Sequence, residues 1–211
     1  MTVNVDRRIA ELLCSRICHE LVAGIAAINN GVELVSEIDA SMAEEALGLI
    51  GSSARQASAR VQFYRMAYGF AGYEALQSMG AVHELVDGIM QTEERFTLEP
   101  SSTAASEPLQ PGWGKLIMNM VVFAMDCLPR GGSISMGVDA QGGGPSLFAT
   151  GRGEEARLPD RYVAALAPGV SPDDVTALNI HAYYTLVLSA SLGDRLAPAP
   201  ANGVVDLRVK V

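Results

Sequence analysis

"AEEALGLIGSSARQASARVQFYRMAY", residues 43–68, carries apolar side chains at Ala43, Leu47, Ile50, Ala54, Ala57, Val61, Tyr64 and Tyr68. The spacings alternate between four and three without a break. Such a heptad seam belongs to a helix that packs lengthwise on another helix. The partner lies just upstream. Residues 3–37 read as one long helix, with Cys14, Ile17, Leu21, Ile28 and Val35 in a stripe at spacings of three, four and seven. Glu37-Ile38-Asp39 leads into a turn, where Asp39 or Ser41 caps the second helix and Glu44 is placed as the capping-box acid after Ser41. The two segments make an antiparallel hairpin. A two-helix hairpin cannot enclose a core, so the seam is covered either by a second copy or by the rest of the chain. The pairing of two hairpins into a four-helix bundle, hence a homodimer, is the expectation.

After Gly69 the pattern changes. Residues 73–91 read as a helix and RFTLEP (95–100) as a short strand, followed by the polar connection SSTAASEPLQPG. GKLIMNMVVFAMDCL (114–128) reads as a buried helix ended by PRGG. SISMGVDA and SLFATG alternate like two hairpin strands around QGGGP. NIHAYYTLVLSASLG is a helix closing at Gly193, and VVDLRVKV is a final strand. Helices on one face of a mostly antiparallel sheet give an α+β layer. The expected fold class is therefore α+β in two domains: a helical hairpin over residues 1–71 and an α/β sandwich over 72–211.

Composition narrows the function. With 211 residues, both parts have enough chain for a core. No uncharged apolar run reaches the roughly 18 residues that a membrane span needs. The start MTVNVDRRIAELL lacks the basic-then-apolar order of a signal peptide. The expectation is a soluble cytoplasmic protein with no membrane partner. A net charge of −9 repels phosphate backbones and argues against nucleic acid. Cys14, Cys18 and Cys127 supply neither a disulfide framework nor a zinc signature, and read as buried thiols. His83 and His181 are lone histidines in apolar helical contexts and read as packing or surface.

His19 differs. At about 100° per residue, its nine-residue separation from Ile28 turns it about 180° away from the apolar stripe. Leu12, Ser15, Arg16, Val22, Ala23, Ala26 and Asn30 share its side of the helix. An imidazole with one free and one held nitrogen is a good nucleophile near neutral pH. Glu20 is placed to hold the second nitrogen, and Arg16, one turn earlier, to pair with phosphoryl oxygens. Ala23, Ala26 and Ala27 leave a smooth surface for a protein to approach. On geometry alone, a plain exposed histidine is the default reading. Arg60 lies roughly opposite His19 if the turn centres near residue 40, on what is either a solvated face or a phosphate-neutralising one.

The stretch Arg16-Ile-Cys-His19-Glu20-Leu21, followed by Gly24, Asn30 and Gly31, resembles the phosphoacceptor box of histidine-kinase dimerisation domains. Residues 114–136, with Asn119, Gly131 and Gly132, resemble the N-box of the kinase ATP domain and its following strand. Ala149-Thr-Gly151-Arg-Gly153 stands where the D-x-G-x-G adenine box belongs. The kinase pattern is not kept. Phe123 replaces the second, magnesium-binding Asn, and Ala149 replaces the adenine-reading Asp. His181-Ala-Tyr-Tyr-Thr lacks the second glycine box, and almost no chain separates Gly153 from Pro159 for an ATP lid.

A kinase-like bundle that keeps its histidine while departing from the ATP site is similar to the ChpT-type histidine phosphotransferases of alphaproteobacteria. That resemblance implies a dimeric phosphorelay protein. It would take phosphate from the receiver aspartate of a hybrid kinase onto His19 and pass it to response-regulator aspartates, without ATP or other cofactor. Magnesium would enter only through the partner receiver. The receiver would dock on Val22, Ala23, Ala26, Ala27 and Asn30, with Arg16 and Arg60 as phosphate-stabilising candidates and Glu20 beside the phosphorylated residue. Ala23 stands where bifunctional kinases carry the Thr or Asn of their phosphatase activity. The competing readings are an ATP-dependent kinase with an atypical nucleotide site and a non-catalytic dimeric interaction protein.

Overall fold

The computed structural model describes residues 7–37, 40–139 and 144–211. Helices α1 (Arg7–Glu37) and α2 (Ala40–Tyr68) form the expected antiparallel hairpin. Of the expected caps, Asp39 lies outside the described residues and Ser41 is already inside α2. The helices approach closely because glycine allows it. A Cβ on Gly31 would stand 2.5 Å from Ile50 Cγ1, and one on Gly24 would stand 3.2 Å from Ala57 Cβ.

The heptad seam of α2 divides into two stripes about 60° apart. Ile50, Ala57 and Tyr64 turn toward α1, whereas Leu47, Ala54 and Val61, seven residues apart, are exposed. On α1 the residues Cys18, Ile25 and Val32 repeat the same spacing and are also exposed. The rest of the chain packs on the other side of the hairpin, where Phe63 and Ala67 join its core. It therefore leaves both heptad stripes uncovered. This corrects one expectation: Cys14 and Cys18 are exposed in the single chain, and only Cys127 is buried.

The second unit begins with two helices where one was expected, α3 (Ala71–Glu74) and α4 (Met79–Met90). Ser78 starts α4 afresh, extended in backbone and accepting from Ala81 N–H. The order continues β1 (Phe96–Leu98), α5 (Trp113–Asp126), β2 (Gly132–Asp139), β3 (Ser146–Arg152), α6 (Asp160–Leu166), α7 (Ile180–Leu192), β4 (Ala199–Ala201) and β5 (Val204–Lys210). Part of the expected QGGGP turn, residues 140–143, lies outside the described residues. The strands lie in the order β1-β2-β3-β5-β4, with β1 parallel to β2 and every other pair antiparallel. Met136, Ala149 and Leu207 stand opposite one another across the sheet, all buried. Helix α5 is apolar on every side because it is enclosed on every side; Leu116 through Ala124 are all buried.

Two polar residues of that buried helix reach the end of α2. Asn119 Nδ2 donates to the Ala67 carbonyl at 2.8 Å. Lys115 Nζ donates to the carbonyls of Tyr68 and Gly69 at 3.2 and 2.9 Å. These are carbonyls that a helix end leaves without a partner. His181 of α7 completes the junction. Its Nε2 lies 3.0 Å from the Asn119 carbonyl, which only accepts, so Nε2 carries the proton. Nδ1 then accepts from the Tyr68 hydroxyl at 2.8 Å. Burial lowers the His181 pKa to about 3, so the ring is neutral.

An unfolded His181 titrates near 6.5 and the folded one near 3. Between those values the unfolded chain binds the extra proton. The residue's stabilising contribution is full above pH 6.5 and falls as pH drops toward 3, with a limiting slope of about 1.4 kcal/mol per pH unit. His181→Gln keeps one donor and one acceptor. In urea unfolding it should flatten the loss of stability between about pH 6.5 and pH 5 relative to the parent chain. Parallel pH profiles would assign that acid sensitivity to other groups.

Candidate functional site

His19 projects from the outward side of α1 and is exposed. Among the described residues no hydrogen bond or ion pair holds it. Glu20 is half-buried, and its carboxylate pairs with Arg16, at i, i+4 along the helix, at 3.8 Å. No hydrogen bond joins Glu20 to His19 in this arrangement.

Arg16 also reaches out of the hairpin. Its Nη2 pairs with Asp126 Oδ2, the last residue of α5, at 3.2 Å. The Tyr162 hydroxyl donates to that same carboxylate oxygen. Tyr162 is fully buried, and burial first and Asp126 second raise its pKa, so the phenol keeps its proton and remains a donor. Arg16 is therefore fastened between two carboxylates, with only 13% of its side chain exposed. Arg60 is likewise engaged, with Nη2 2.5 Å from Glu93 Oε1, and it is not among the residues around His19.

A cleft of about 480 Å³ lies between hairpin and second domain, walled by His19, Arg16, Glu20, Asp126, Arg161 and Leu178. Arg161, on α6, is exposed and stacks its guanidinium 5.2 Å over the ring of Tyr162. It makes no ion pair among the described residues. Leu178 stands at the rim with 70% of its surface exposed. Along α1, Val22, Ala23, Ala26 and Asn30 are exposed and Ala27 is half-buried. That face runs on to Leu34, which with Met42 and Leu49 lines a second, apolar groove of about 480 Å³.

The structure thus brings His19, Arg16 and Glu20 together and leaves Arg60 apart. Asp126, Arg161 and Leu178 went unnoticed in the sequence because they lie more than 100 positions downstream. One signal was available for Asp126: it is the only carboxylate in α5, and a charge on a buried helix requires a partner.

Residues 79–201 match the family described as the histidine phosphotransferase C-terminal domain. The chain is 36% identical over 189 residues to the protein phosphotransferase ChpT of Brucella abortus (strain 2308), covering 88% of this chain and 87% of that protein. A solved structure of a bacterial phosphotransferase superposes with a TM-score of 0.80 at 31% identity, over 98% of this chain and 97% of that one.

Asp126 joins three elements, so its removal should be felt in the whole fold. Asp126→Ala leaves Arg16 largely buried with a weaker partner and should cost about 1–3 kcal/mol in urea unfolding. Arg16→Ala on that background should add little, because both changes delete the same pair. Fully additive losses would mean that the pair contributes nothing as a pair.

Proposed function

The chain belongs to the ChpT-type histidine phosphotransferases, and on that premise we propose that His19 is the residue that carries the phosphoryl group. The observation behind this reading is the position of His19: exposed, outside the apolar stripe, at the mouth of a charged cleft. In the reaction, the lone pair of one His19 ring nitrogen attacks the phosphorus of a receiver's aspartyl phosphate. The N–P bond forms, the P–O bond to the aspartyl carboxyl breaks, and the carboxylate leaves with the electron pair. The other ring nitrogen keeps its proton, and the imidazolium so formed is stabilised by the nearby Glu20 carboxylate. The same steps in reverse pass the group to a second receiver.

Response regulators are the partners on this reading, with the receiver of a hybrid kinase as donor. They dock along Val22, Ala23, Ala26, Ala27 and Asn30, where small side chains let a folded domain approach. Two hairpins join through the exposed heptad stripes Cys18–Ile25–Val32 and Leu47–Ala54–Val61, forming a four-helix bundle and burying the cysteines. The relay needs no ATP. In support, Phe123 packs on Tyr162 with ring centroids 4.8 Å apart, both fully buried, at the position of the kinase magnesium ligand. Ala149, in place of the adenine-reading Asp, is fully buried in the sheet. No helix among the described residues is long and apolar enough to cross a membrane, which fits a relay in the cytoplasm.

His19→Ala should fold normally and take no acid-labile label from a phosphorylated receiver. Label retained on that variant would remove His19 from the reaction. Glu20→Ala should slow transfer without abolishing it, by about tenfold, the usual worth of one charge-assisted contact. The dimer is tested separately by Val61→Glu, a charge placed on an already exposed stripe. Sedimentation should find a folded monomer; an unchanged dimer would place the interface elsewhere.

A further inference from the structure

The charges around His19 do not cancel one by one. The cleft holds two arginines and two carboxylates. Arg16 takes both carboxylates, Asp126 at 3.2 Å and Glu20 at 3.8 Å. Arg161 is left with an aromatic face and open cleft. Its ring platform is rigid, since Tyr162 is fully buried, packed on Phe123 and bonded to Asp126. A guanidinium stacked on a fixed ring keeps its edge donors free for an anion.

We propose that Arg161, contributed by the second domain, is the catalytic residue that binds and neutralises the phosphoryl group in transit at His19. This rests on the reading of His19 as phosphoacceptor and adds the cation that stabilises the transferring group. As the N–P bond forms and the bond to the leaving group breaks, negative charge spreads over the three equatorial oxygens. Arg161 donates to those oxygens, and no proton leaves the guanidinium at the pH of the reaction. Arg16 plays a different part: its ion pairs fix the cleft wall against which Arg161 and His19 are arranged.

The test separates phosphoryl binding from protein docking by using a donor with no protein surface. Phosphoramidate offers the same phosphoryl group with ammonia as leaving group: the P–N bond to ammonia breaks as the bond to His19 forms. Wild type, Arg161→Ala and Arg161→Lys, each checked for fold by circular dichroism, are labelled with phosphoramidate and, in parallel, by a phosphorylated receiver. Phosphohistidine at His19 is followed over time. Arg161→Ala should be slower by about tenfold with both donors, the usual worth of one charge-assisted hydrogen bond, and Arg161→Lys should recover part of the loss. Slowing with the receiver alone would make Arg161 a docking residue and overturn the proposal, as would equal rates for all three proteins. Absence of label at His19 in wild type would instead bring down the phosphoacceptor reading, and this proposal with it.

Discussion

A buried polar junction between the end of α2 and helix α5 is the constraint from which the rest of the architecture follows. The second domain packs on the end of α2, where Ala67 is buried and Tyr68 and Gly69 are half-buried. Lys115 and Asn119 supply the missing donors, and Tyr68 and His181 tie the same helix end to α7. Each bond alone contributes about 1 kcal/mol, but leaving any of these buried groups unpaired would cost more than that. Only one orientation of the second domain satisfies them all. A flexible tether would lose the set together, because the four side chains share partners through Asn119 and Tyr68.

That fixed orientation gives the cleft beside His19 its second wall. With α5 docked on the hairpin, its terminal Asp126 falls beside Arg16, and the Tyr162–Phe123 pair closes behind it. Arg8, two turns nearer the start of α1, donates to the Val175 carbonyl at 3.0 Å and holds the segment that leads to Leu178. The cleft beside His19 is therefore not a feature of the hairpin alone. Its charge balance, one paired arginine and one unpaired, is decided by residues from both domains.

The hairpin, its antiparallel sense and the outward side of His19 were legible in the sequence, because they depend on local periodicity that tertiary contacts did not override. The α+β class was legible in the alternation of β2 and β3 and in the long apolar runs of α5 and α7. The short elements were not. α6 has seven residues and β4 three, too few to show a period, and β4 carries Pro200. The continuous heptad seam concealed a division of labour. Ile50, Ala57 and Tyr64 differ from Leu47, Ala54 and Val61 only by about 60° of rotation, and which of them α1 covers is a fact of packing. The exposure of Cys14 and Cys18 has the same origin. Arg16 illustrates the limit most clearly: its place one turn from His19 is set by α1, but its engagement with Asp126 spans 110 positions.

The positions where this chain departs from the kinase pattern are also the positions that weld it together. Phe123, in place of a magnesium ligand, forms the wall behind Asp126 with Tyr162. His181, at the start of the helix where a glycine box would admit phosphates, carries the bond to Tyr68. Asn119, the N-box residue that is kept, donates its amide NH2 to the Ala67 and Lys115 carbonyls. A cleft whose walls are held by such contacts is already assembled before anything enters it. The two departing positions therefore act at different levels: Phe123 packs the second domain from within, and the contact of Tyr162 with Asp126 carries that packing to Arg16, whereas His181 ties α7 directly to the end of α2.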